Sequence, residues 1–160
     1  MPEARLACVA DLPAILRLFA ESEVSPAAEP FERAEEIWRK TMSSDSIKVF
    51  VDDAQKKMVA TCMIIVAPNL LRGGQQHGFL ENVVTHPNHQ GLGYGRAVVS
   101  AALKYAWRAN CHHVLMQSGR ADPRVRTFYE GLGFMADIRV GYAALRPTNF
   151  DRNGGLEPSI

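Results

Sequence analysis

Val83-Val84-Thr85-His86-Pro87-Asn88-His89-Gln90-Gly91-Leu92-Gly93-Tyr94-Gly95-Arg96 places a strand, a tight turn, three alternating glycines and a helix in direct succession. Glycine supplies the backbone angles such a turn needs and lets another group approach the chain closely. The first N–H groups of the helix have no partner inside it, and the helix dipole favours negative charge there. The segment reads as a cradle for phosphate, to which Arg96 can add a charge-assisted contact. A P-loop would need Gly-Lys-Ser/Thr after its spacer, and the chain has no such triplet. A dinucleotide fingerprint would need glycine at position 96 and a ribose-binding acid after a second strand, and both are missing. A tight strand-to-helix turn with no ligand is the bland alternative.

Arg5 to Val9 reads as a first strand, and Asp11 as the cap of a helix carrying Leu12, Ile15, Leu16 and Phe19 at helical spacing. A loop over Glu21 to Pro30 leads to a second helix from Phe31 to Met42, with acids leading and bases trailing. Ile47 to Asp52 and Lys57 to Val66 predict a β-hairpin about the turn Asp53-Ala54-Gln55-Lys56. Gly78 to Thr85 is a fourth strand. The helix from Tyr94 to Ala109 is expected to bury Val99, Ala102, Leu103, Ala106 and Trp107. His113 to Gln117 reads as a fifth strand, and Asp122-Pro123 as a helix start running to Gly131. Phe134 to Leu145 predicts one or two further strands. These elements make one α/β domain over residues 1–147, followed by a polar tail over residues 148–160.

Composition agrees with one ordinary folded domain. The 160 residues are 47% hydrophobic and 22% charged, which excludes a disordered or low-complexity chain. A net charge of +1 argues against a dedicated nucleic-acid binder. Between Gln90 and Arg126, however, Arg96, Lys104, Arg108, Arg120, Arg124 and Arg126 face Asp122 alone, as suits a small anionic partner. Cys8, Cys62 and Cys111 are odd in number and lie in apolar stretches, so buried thiols in a reducing compartment are expected. The apolar run near Met58 to Ala67 is too short to span a bilayer, and the start Met-Pro-Glu-Ala-Arg is unlike a signal peptide. A cytoplasmic location without membrane attachment is the expectation.

Gln90-Gly91-Leu92-Gly93-Tyr94-Gly95 matches the Gln/Arg-x-x-Gly-x-Gly/Ala signature of the GNAT superfamily of acyl-CoA-dependent N-acetyltransferases, read as Gln90, Gly93 and Gly95. Glu81 to Pro87 resembles that family's fourth strand, and Phe128-Tyr129-Glu130-Gly131-Leu132-Gly133-Phe134 resembles its Phe-Tyr-x-x-Leu-Gly-Phe segment. The likeness is specific from Phe79 to Phe134. It implies a mixed, mostly antiparallel sheet with splayed strands four and five, flanked by about four helices.

The resemblance also implies a site for acetyl-CoA. Backbone groups of Val83, Val84 and Thr85 would pair with the pantetheine arm, and one N–H would polarise the thioester carbonyl. Gln90, Gly91, Leu92, Gly93, Tyr94, Gly95 and Arg96 would hold the pyrophosphate. Ser118 and Asp122 lie where the chain leaves the fifth strand; many relatives have Asn at the position of Asp122, which favours a helix cap there. Tyr129 matches the tyrosine that protonates the departing thiolate, a fitting pairing for a phenol of pKa near 10. Glu81, expected to face the same way as Val83 and Thr85, is the candidate base, or else a solvated carboxylate or a partner for a substrate cation. Gln117 stands where some relatives carry a glutamate base.

His77, His86, His89, His112 and His113 form no metal-binding spacing beyond His86-x-x-His89, which Pro87 interrupts, so no metal is expected. No Gly-x-Ser-x-Gly element suggests a hydrolase. The reading is direct acetyl transfer to a primary amine of a small molecule or peptide. A non-catalytic acyl-CoA sensor on the same scaffold is the alternative, and Tyr129 argues against it. A homodimer is among the assemblies this reading allows.

Overall fold

The computed structural model describes residues 1–119 and 122–147, and the backbone of Phe150–Asp151 and Gly155–Leu156. Its central sheet has the order β1 (Arg5–Leu6), β2 (Ile47–Ala54), β3 (Lys57–Ala67), β4 (Gln76–Thr85) and β5 (Cys111–Leu115). Neighbours are antiparallel except β4 and β5, which are parallel. The expected hairpin forms, and Gln55 and Lys56 make its two-residue turn with both φ values positive, at 50° and 66°. Such a turn matches the twist of the flanking strands.

Helices cover both faces. α1 (Leu12–Ala20) and α2 (Phe31–Ser43) enclose Leu18, Trp38, Val49, Val51 and Val84 on one side. α3 (Tyr94–Arg108) and α4 (Pro123–Glu130) pack on the other, over Cys62, Ile64, Leu80, Val98 and Ala102. Coverage of both faces explains why β3 reads as a nearly continuous apolar run rather than an alternating one. Side chains as inaccessible as Leu18 and Ile64 each contribute about 2 kcal/mol from burial alone.

Several expectations need correction. The first strand shortens to two residues, because the chain turns at Val9–Asp11. Asp11 sits at the start of α1, but its carboxylate does not cap that helix. It accepts from Arg5 at 2.8 and 2.9 Å and from the Cys8 N–H at 2.8 Å. Trp107 is 51% exposed, and Val98 takes its place on the buried stripe of α3. The fifth strand starts two residues earlier than expected and ends at Leu115. Cys8 is exposed, whereas Cys62 and Cys111 are buried. Phe134 to Leu145 forms no strand: Ile138, Val140, Tyr142 and Leu145 stay exposed in the described chain. In the tail, Phe150–Asp151 pairs with Gly155–Leu156.

Candidate active site

The glycine turn is built as its sequence suggests. Gly91 and Gly93 have φ values of +77° and +94°, and Gly93 is the residue from which α3 starts. Gly95 is needed for closeness instead, because a Cβ there would lie 2.6 Å from Thr85 Oγ1 and 3.6 Å from the Phe128 ring. Without that atom, α3 seats directly on the end of β4. The first helical bond of α3 runs from Ala97 N–H to Gly93 C=O at 2.9 Å, so the N–H groups before it have no acceptor within the helix. Gln90 Nε2 donates to the Thr85 carbonyl at 3.4 Å and ties the turn to the strand.

Beside this turn the sheet opens. β4 and β5 pair only from Gln76 opposite Cys111 to Phe79 opposite Leu115. Beyond that point β4 continues to Thr85 with β3 as its one neighbour among the described residues. The edge of Leu80 to Thr85 therefore offers unpaired backbone groups, which favour an extended ligand. That edge leads towards the α3 N-terminus. A ligand with amides along its length and phosphates at one end fits this arrangement, as CoA does.

Within the edge, β4 carries an extra residue. Thr61 opposes Val84 while Met63 opposes Glu81, and Asn82 takes up the slack at φ +50°. Asparagine tolerates this left-handed conformation better than most residues. Residues directly opposite each other share a face. Glu81 therefore shares Met63's face, towards α1 and α2, whereas Val83 and Thr85 face α3. The shared facing expected from simple alternation is broken by the bulge. Glu81 is exposed, and Asn82, which pattern and motif leave unmarked, is the residue that turns it. An Asn amid strand residues was the available signal.

Tyr129 is half-buried on α4, with its ring edge-on to Phe128 at 4.9 Å and to Phe134 at 5.5 Å. Asp122 caps α4, accepting from the Arg124 N–H at 2.8 Å, and it pairs with the Arg124 side chain. Ser118 is exposed just past β5. Arg96 reaches away from the turn and donates from Nη1 to the Gly131 carbonyl at 2.8 Å, docking the C-terminal end of α4. Arg126 pairs with Glu130 and Asp137. Much of the basic excess therefore braces α4. Arg120 lies outside the described residues.

Opposite α3, a cavity of about 180 Å³ lies between α1, α2 and the sheet, with Asn82 and Met63 in its wall. Among the described residues no group of three His, Cys, Asp or Glu side chains could hold a metal ion. His86 instead accepts the Asn88 N–H at Nδ1 and faces Glu21 through Nε2 at 3.3 Å. Cys62 is buried, its Sγ contacts the Val98 carbonyl at 3.3 Å, and burial pushes its thiol up to about 12. It is inert as a nucleophile.

Comparison with known proteins points the same way. The model of the acetyltransferase (GNAT) family matches residues 12–134. The glucosamine 6-phosphate N-acetyltransferase of Trypanosoma brucei brucei is 27% identical over 137 residues, covering 86% of this chain and 91% of that protein. The spermidine N(1)-acetyltransferase of Vibrio cholerae serotype O1 is 26% identical over 111 residues, covering 68% of this chain and 61% of that protein. A solved structure from Agrobacterium tumefaciens str. C58, named as an acetyltransferase, superposes with a TM-score of 0.80 at 33% identity over 90% of this chain and 99% of its own. Among the described residues no helix is long and apolar enough to cross a membrane.

Proposed function

Because this chain belongs to the GNAT family of acetyltransferases and is an acetyl-CoA-dependent N-acetyltransferase, we propose that residues 1–147 move the acetyl group directly from acetyl-CoA to the primary amine of a small molecule. The observation that carries this reading is the opening of the sheet after Phe79 and Leu115, next to the unpaired N–H groups of the glycine turn. Backbone groups of Val83, Val84 and Thr85 bind the pantetheine amides, and Gly91 to Arg96 hold the pyrophosphate through main-chain N–H donors. Gln90 supports the turn from beneath, and Arg96 holds α4 in place. Ser118 and Asp122 border the mouth beyond β5.

The chemistry balances without a metal ion. The substrate ammonium loses a proton to Glu81, directly or through water, and its nitrogen then attacks the thioester carbonyl carbon. The new C–N bond forms as the C–S bond breaks, Tyr129 donates a proton to the leaving sulfur, and the second proton that the nitrogen sheds as it becomes an amide returns through water to the Tyr129 phenolate. A backbone N–H of β4 stabilises the charge on the carbonyl oxygen meanwhile. The exposed apolar run Ile138, Val140, Tyr142 and Leu145 supports a homodimer, and the free thiols support a cytoplasmic location.

Free-thiol release from acetyl-CoA in the presence of an amine panel tests this function. Release that depends on the amine, with one acetylated amine formed per thiol, is the expected result. Tight acetyl-CoA binding with no amine-dependent release would leave a sensor domain instead.

A further inference from the structure

We propose that the acceptor is a monoamine carried on an apolar body, such as an arylalkyl amine, and not a sugar phosphate or a polyamine. This rests on the acetyl-transfer reading above and concerns the cavity between α1, α2 and the sheet. Its walls come from Leu16 and Phe19 of α1, Ile37 and Trp38 of α2, and Met63 of β3, and among the described residues no Lys, Arg, Asp or Glu lines it. The polar handle of Trp38 is already satisfied, because its indole N–H donates to the Val9 carbonyl at 3.0 Å. Thr61, a polar residue in the lining, spends its hydroxyl on the Phe50 carbonyl at 3.0 Å. The charged residues of α2 pair with one another at its exposed surface, Lys40 with Glu36 and Arg39 with Glu35.

A phosphate or a second ammonium placed in this cavity would lose its water and gain no counter-charge, a cost of several kcal/mol. An apolar ring loses nothing by the same transfer. The volume of about 180 Å³ also fits, since an apolar cavity of about 150 Å³ admits benzene. At one edge of the cavity the bulge presents Asn82, and Glu81 shares the face of Met63. One carboxylate on the strand face that walls an apolar hollow suits one ammonium on an apolar body. The cavity escapes a sequence reading because its walls come from α1, α2, the loop between them and three strands, spread along the chain from Leu12 to Asn82.

The test compares 2-phenylethylamine, spermidine and glucosamine 6-phosphate as acceptors, by free-thiol release from acetyl-CoA with the full chain. The expected kcat/KM for 2-phenylethylamine exceeds both others by at least about tenfold, equivalent to about 1.4 kcal/mol. Ile37→Arg, at a wall position that is 43% exposed, should raise the amine KM by a similar factor and leave the acetyl-CoA KM unchanged. Preference for either polar amine, or an amine KM unchanged in a folded Ile37→Arg variant, overturns the proposal. Calorimetric titration with 2-phenylethylamine separates the two layers. Binding with a negative heat-capacity change but no thiol release upholds the apolar site and counts against transfer. Thiol release with glucosamine 6-phosphate while 2-phenylethylamine fails to bind upholds transfer and overturns the apolar site. Neither binding nor release overturns both.

Discussion

Replacing Gly93 by valine perturbs the turn where the structure is least forgiving. At φ +94° a β-branched side chain is strained by about 1–3 kcal/mol, and its Cβ would also stand 3.3 Å from the Pro2 ring. The chain can relieve that strain only by rotating the peptide that begins α3, which re-aims the N–H groups at the phosphate site. Acetyl-CoA affinity should therefore fall more than tenfold, at least about 1.4 kcal/mol. Gly74 provides the control, since it has φ +84°, open space around it and a place in the loop before β4. Gly74→Val should lower thermal stability through similar backbone strain yet leave acetyl-CoA affinity unchanged. Isothermal calorimetry measures both constants. Affinity unchanged in folded Gly93→Val, or equally weakened in Gly74→Val, would refute the phosphate cradle.

Tyr129→Phe keeps the ring contacts with Phe128 and Phe134 and deletes the hydroxyl. The expected result is a fall in kcat of roughly 10²-fold with little change in the acetyl-CoA KM; a kcat within about twofold of wild type, with chemistry rate-limiting, would remove the acid role. Arg5 holds the Asp11 carboxyl down at about 2, below its ordinary 3.8. A depressed carboxyl stabilises the fold above its unfolded value and loses that contribution as pH falls towards the folded one. Asp11→Asn should thus lower Tm at neutral pH and converge with wild type near pH 2, as thermal melts across pH would show.

The parts legible in the sequence are those governed by neighbours along the chain. Positive φ at Gly91 and Gly93, the Asp122 cap before Pro123, and the hairpin between β2 and β3 all follow from local steric and hydrogen-bonding preferences. What escaped depends on tertiary context. One extra residue at Asn82 reverses the facing of Glu81 relative to Val83, and an alternation count cannot see it. Arg96 stands in the first turn of α3 as the motif suggests, but the end of α4 captures its guanidinium. Apolar alternation over Ile138, Val140 and Tyr142 has the period of a strand, yet among the described residues the stretch pairs with no strand, because period alone does not set pairing.

Backbone hydrogen exchange on adding acetyl-CoA tests most directly whether the opening between β4 and β5 is the cofactor's seat. Slowed exchange is expected in two stretches, Leu80 to Thr85 along the unpaired strand edge and Gly91 to Arg96 at the start of α3. Protection confined to other segments, or none in these two at saturating acetyl-CoA, would contradict the account.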